Sequence, residues 1–232
     1  MTLYRAEVTV FAIAFAIFGL VALALVWSGD WAYALLANLN GVKQATFLLP
    51  TFEGRRVETV LELPAVIAWH RAWADYVTGA TSVPAISFAS PVFSQDEYAH
   101  MADVRAVFQG AEVAGVLTFF VALFRVARAR SQGYALRLVR AGSLVAAAIV
   151  ALVGLGAVAA FDPLFLLFHE IFFPQGNFLF PPDSNLIRLY PEWYWQGITA
   201  GVGASFIAAA LLAAAGAHIA LRRRANTYTR AA

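Results

Sequence analysis

The sequence predicts an all-α polytopic membrane protein with four transmembrane helices, both termini cytoplasmic, and a structured exoplasmic part. Three observations carry this expectation. The 232 residues are 61% hydrophobic and 13% charged, with mean hydropathy +0.70, whereas a soluble domain carries roughly 25% charged residues. Four separate stretches are long and apolar enough to cross a bilayer, which takes about 20 residues as helix. The charges, finally, are distributed unevenly around those stretches. The chain has no cysteine, which excludes disulfides, thiolate catalysis and thiolate metal sites but fixes no compartment.

The expected spans are 8–26, 104–124, 141–160 and 197–221. The first is an apolar run of 19 residues, longer than the ~7–15 of a signal peptide, and no small-x-small site follows at once. It reads as an uncleaved helix. Arg125, Arg128, Arg130, Arg137 and Arg140 lie between the second and third spans, and Arg222, Arg223, Arg224 and Arg230 follow the fourth. With Arg5 these face a single acid, Glu7. The segments 28–103 and 161–194 hold Lys43, Arg55, Arg56, Arg71 and Arg188 against twelve acids. The positive-inside rule therefore places both termini inside and both long segments outside, in a single integral membrane domain.

Within the first outer segment, Pro64 to Val77 reads as a helix with proline in its first turn. Trp69, Trp73 and Tyr76 share one face and His70, Arg71 and Asp75 the opposite arc, the pattern of an interfacial helix with its aromatic side toward lipid. Across 45–63, Thr46–Leu49 and Val57–Val60 suggest a small β-hairpin turning at Glu53-Gly54. In the second segment, Asp162 as cap with Pro163 at the first helical position predicts a short helix over 164–173. It is apolar nearly all round apart from His169 and Glu170. Pro174-Gln175-Gly176-Asn177 ends it, and Pro181-Pro182-Asp183 marks another turn. Trp193, Tyr194 and Trp195 form an aromatic belt ahead of the last span. Gly197, Gly201 and Ser205 then make a small-residue stripe suited to close helix packing.

Two histidines stand out as candidate chemistry. Ser94-x-x-Glu97 is a capping-box pattern that starts a helix and puts His100 in its second turn, near the membrane–water boundary, with Asp103 one turn on. A mostly neutral imidazole held there is suited to general-base work. His169 falls at the same expected depth; the bland alternative for each is a hydrogen-bonded structural histidine. His70 and His218 read as solvated or headgroup-facing. Arg105, Gln109 and Glu112 share a helix face that should point inward, as a structural pairing or as the lining of a headgroup pocket. Glu97 reads as only the cap partner; Asp103 either pairs with a headgroup or an arginine or orients the His100 ring. There is no Gly-x-Ser-x-Gly elbow and no His-Glu-x-x-His, so hydrolase and zinc-protease templates lack support. A two-histidine haem ligand pair stays open at this point. Nothing points to nucleic acid.

The motifs Glu97-x-x-His100-Met101-x-Asp103-Val104, Phe168-His169-x-x-Phe172-Phe173 and Asp183-x-x-Leu186-Ile187-x-x-x-Pro191 resemble those of the bacterial lipoprotein intramolecular transacylase family. The resemblance covers the four-helix layout and both outer segments, apart from 38–89, and the stretch Gly176–Pro182 departs from the family's usual aromatic and acidic residues. It implies an enzyme of the bacterial cytoplasmic membrane with its site on the outer face. The substrate would be a diacylglyceryl-modified lipoprotein, met among membrane lipids. The sn-2 acyl chain would move to the α-amino group of the lipoprotein's own N-terminal cysteine, giving the lyso form. That chemistry requires no acyl donor, ATP, metal or other cofactor. By resemblance His100 and His169 form the essential pair; Glu97, Asp103, Arg105, Glu112 and Asp183 are the candidate supporting residues. On chemical grounds His100 takes the amine proton and His169 assists the oxyanion or the glyceryl oxygen, or the roles are exchanged. The rival readings are an outer-leaflet hydrolase using water, and a non-catalytic assembly or haem-binding subunit.

Overall fold

A computed structural model describes residues 2–51, 53, 55–82 and 92–231. Among the described residues the chain is mostly helical, with four helices long and apolar enough to cross a membrane and one two-stranded hairpin. In order these are α1 (Thr2–Trp27), α2 (Asp30–Leu39), β1 (Gln44–Pro50), β2 (Arg56–Glu62), α3 (Leu63–Val77), α4 (Gln95–Ser131), α5 (Ala135–Ala159), α6 (Phe161–Phe172), α7 (Asn185–Leu189) and α8 (Glu192–Ala231). The four long helices are α1, α4, α5 and α8.

α4 and α8, at 37 and 40 residues, far outrun their apolar stretches. At 1.5 Å per residue each exceeds the ~30 Å hydrocarbon layer by more than half. A helix ends where its backbone is capped or broken, not where its side chains turn polar. α4 begins at the Ser94–Glu97 box and stops at Gly133, whose φ of +77° no branched side chain adopts easily.

The chain separates into two compact units. One comprises Met1–Ala24, Glu112–Ala159 and Ala200–Ala232; the other comprises Leu25–Ala111 and Ala160–Thr199. In the first, Ala12, Ala146, Ala147, Phe206 and Ala210 form a buried cluster. Small residues let the helices approach closely: a Cβ on Gly142 would stand 2.3 Å from the Phe11 ring, well inside contact distance. Glu7 pairs with Arg125 at 2.9 Å in the same unit.

The second unit has an aromatic core of Tyr33, Phe47, Trp73, Phe93, Tyr190 and Tyr194 around Leu36 and Leu189. The hairpin is antiparallel, Gln44 opposite Glu62 and Pro50 opposite Arg56, as the alternation in 45–63 suggests; Gly54 of the expected turn lies outside the described residues. On the outer side of β1, Asn185 imitates a neighbouring strand. Its Oδ1 accepts from the Leu48 N–H at 2.8 Å and its Nδ2 donates to the Leu48 carbonyl at 2.9 Å and to the Val92 carbonyl at 2.8 Å. Arg188 adds a bond to the Thr46 carbonyl and an ion pair with Glu58.

Several expectations need correcting. α6 starts at Phe161 with Ala160 as its cap, so Asp162 and Pro163 lie inside the first turn and do not precede it. Trp73 does not face lipid; it is fully buried against Phe93 and Tyr98. Nor is His70 solvated. It is 1% exposed, its Nε2 donating to the Ser28 carbonyl at 3.1 Å and its Nδ1 3.3 Å from the Tyr190 hydroxyl. His218 is half-buried beside Arg140, and Gln109 is exposed, so it does not carry an inward polar stripe.

Candidate active site

The capping box expected at Ser94 is present in full. The Ser94 N–H donates to Glu97 Oε2 at 2.5 Å, and the Glu97 N–H to Ser94 Oγ at 3.2 Å. Glu97 does more than cap. It is 2% exposed, and its Oε1 accepts from the Ser184 hydroxyl and from the Leu186 N–H at 2.8 Å. One carboxylate therefore ties the first turn of α4 to the start of α7. Glu97→Gln turns an acceptor oxygen into a donor facing donors, a mismatch expected to cost about 1–3 kcal/mol. The check is the thermal unfolding midpoint in detergent, where no change would mean these bonds carry no stability.

One turn beyond this anchor, His100 is 7% exposed. Its ring centroid lies 4.8 Å from Phe173, 5.5 Å from Phe180 and 6.2 Å from His169, the two imidazoles inclined by only 19°. Its Nδ1 is buried with no partner among the described residues. The two histidines thus converge from α4 and α6, although 69 positions separate them in sequence.

His169 is held by its own helix. Its Nδ1 lies 2.8 Å from the Phe165 carbonyl, and a carbonyl only accepts, so Nδ1 carries the hydrogen. In the neutral ring this leaves Nε2 with a lone pair. Burial among Phe165, Phe168, Phe173 and Phe178 holds the His169 pKa below the ordinary imidazole value, only partly offset by the Phe165 carbonyl. At neutral pH it is an uncharged acceptor, as a general base must be.

Asp103 does not bond His100 directly. Its Oδ2 accepts from Gln175 Nε2 at 2.8 Å and from Asn177 Nδ2 at 2.6 Å. Gln175 and Asn177 were legible only as the polar turn ending the His169 helix, with nothing local to mark them as site residues. Arg105 stands apart from the pair: its guanidinium stacks on Tyr76 at 4.7 Å and donates to the Tyr76 and Thr81 carbonyls, fastening the end of α3. Asp183 is exposed in the 181–184 turn. Glu112 belongs to the other compact unit.

A pair of imidazoles in an aromatic pocket, one buried and one half-buried, can move protons between an attacking and a departing group. The comparisons with known proteins bear on which reaction this is. The family model described as lipoprotein intramolecular transacylase Lit matches residues 8–195. The chain belongs to the Lit family. Lit from Bacillus cereus has a solved structure that covers 100% of this chain and 99% of its own at a TM-score of 0.66 and 16% identity. Two forms of that protein carrying a histidine-to-arginine or a histidine-to-alanine substitution align with TM-scores of 0.64 and 0.63, both at 15% identity. They cover 97% and 96% of this chain and 95% and 96% of their own. No curated protein matches by sequence. As a Lit family member the chain is a multi-pass membrane enzyme, a lipoprotein intramolecular transacylase.

Proposed function

We propose that this Lit enzyme moves the sn-2 acyl chain of a diacylglyceryl lipoprotein to the α-amino group of that lipoprotein's N-terminal cysteine, with His100 and His169 as the proton-transfer pair. The observation that carries the assignment is their convergence in one aromatic pocket, ring centroids 6.2 Å apart, each ring with one nitrogen left for a substrate. Nε2 of His169 keeps its lone pair because Nδ1 carries the hydrogen toward the Phe165 carbonyl; Nδ1 of His100 has no partner among the described residues.

The substrate amine arrives as an ammonium, so two protons must leave its nitrogen and one must reach the glyceryl oxygen. His100 takes the first, creating the nucleophile, and the resulting imidazolium is a hydrogen-bond donor for the oxyanion. The nitrogen–carbonyl bond forms as the ester π bond opens. His169 then takes the second proton and hands it to the glyceryl oxygen as the carbon–oxygen bond breaks. The proton on His100 returns to solvent. Since amine and ester belong to one substrate, much of the acceleration comes from positioning. Asp103, through Asn177 and Gln175, holds the His100 side of the pocket, while Glu97 anchors the helix that carries it.

The expected topology has spans near 8–26, 104–124, 141–160 and 197–221 with both termini inside. The arginine-rich segments then face the cytoplasm and the histidines face the outer leaflet of the bacterial cytoplasmic membrane.

The transfer conserves mass, which decides the experiment. A lipoprotein co-expressed with the enzyme should keep its total mass while fragment ions relocate one acyl chain from glycerol to the terminal nitrogen. Loss of an acyl chain would indicate hydrolysis, and an unchanged fragment pattern would remove the activity.

A further inference from the structure

A cavity of about 580 Å³ opens beside the histidine pair, walled by the hairpin, the first turn of α4 and the 176–184 loop. It lies within the range of about 300–1,000 Å³ typical of ligand pockets. Two of its residues also belong to the site: Asn177, bonded to Asp103, and Phe180, packed on His100. The remaining walls are mixed: Leu48, Leu179 and Pro181 supply apolar surface, and Arg56, Asp96, Asp183 and Ser184 supply charged and polar groups. Asp96 and Asp183 are both exposed, and neither makes an ion pair with a described residue.

α6, which carries His169, offers an open and largely apolar surface. None of its residues is buried, and Leu164, Leu167, Phe168, Ile171 and Phe172 are exposed by 40–63%. The buried Nδ1 of His100, whose ring packs on the cavity residue Phe180, is a polar atom for which the described residues supply no partner.

A diacylglyceryl cysteine has the same two-sided character. Its acyl chains need apolar contact, while the polypeptide leaving the cysteine needs partners for its N–H and carbonyl groups and access to water. We propose that the cavity receives the polypeptide segment that follows the acylated cysteine, the acyl chains lying along α6, and that Asp96 and Asp183 make the cavity favour basic over acidic residues in that segment. This rests on the transacylase reading, and adds to it a direction for the substrate and a source of selectivity.

The test uses the full-length enzyme in zwitterionic micelles with two synthetic diacylglyceryl-cysteine peptides, one tailed with three lysines and one with three glutamates. Formation of N-acyl product is followed for each. The lysine tail should show the lower KM, by about two- to fivefold for each carboxylate engaged, which is the scale of an exposed ion pair. A contact equally strong in ground and transition states changes KM and leaves kcat alone. The preference should vanish in high salt and in the double variant Asp96→Asn/Asp183→Asn, and invert in Asp96→Lys/Asp183→Lys. Equal KM for both tails, or a preference that survives the double asparagine variant, overturns the cavity assignment. Product from neither tail overturns the transacylase reading itself.

Discussion

Alanine at His100 or at His169 is expected to eliminate lyso-form lipoprotein while the enzyme still accumulates in the membrane. General acid–base groups contribute roughly 10²–10⁴-fold each, so either variant should fall by at least about a hundredfold in single-turnover rate. The two losses should not multiply, because a reaction cycle missing either proton transfer is already stopped; the double variant should be about as slow as the worse single one. His169 is only half-buried, and its removal leaves the aromatic neighbours in place. His100 packs against Phe173 and Phe180, so His100→Gln serves as a control that keeps volume and hydrogen bonding but not basicity. Full activity in either alanine variant would take that residue out of the mechanism, and multiplicative losses would argue against a shared reaction cycle.

The second large effect concerns His70. Burial pushes its pKa down from 6.5 to about 4, with Asp30, Asp75 and the Ser28 and Gly29 backbone pulling weakly the other way. The unfolded chain takes up a proton as the pH drops through about 6.5, whereas the folded chain resists until about 4. In that window the unfolded state binds more protons, so folding stability is complete above the upper value and drains away toward the lower one. At 1.36 kcal/mol per pH unit the loss approaches about 3 kcal/mol. Many carboxylates titrate nearby, so the diagnostic quantity is a difference: the fall in unfolding temperature between pH 7 and pH 4.5 should be distinctly smaller in His70→Phe than in the parent. Equal falls would mean that His70 does not report on acid unfolding.

The sequence made the spanning helices legible because a helix in lipid must be apolar for its whole crossing. The start of α4 was legible for a different reason: Ser94 and Glu97 satisfy each other's backbone over three residues, a local signal. The hairpin showed through its alternation. By contrast, helical spacing groups Trp69, Trp73 and Tyr76 on one face but does not say whether lipid or protein meets that face. Trp73 and His70 were misplaced for that reason. α2, which has no side-chain cap, and α7, capped by Ser184 but only five residues long, gave no usable signal. The partners of Asp103 are 72 and 74 residues away, and no pattern within one helix could have announced them. His100 and His169 were singled out by depth and family resemblance, not by any local feature.

The way Asn185 occupies both backbone groups of Leu48 has a further effect. A two-stranded ribbon normally presents two open flanks on which a stray extended chain could seat itself. Here one flank is already closed by a side-chain amide and an arginine, both delivered from α7. Growth of the ribbon is thereby directional: a visiting strand must align beside Arg56–Glu62. Mispairing on the other flank requires breaking the Asn185 bonds first.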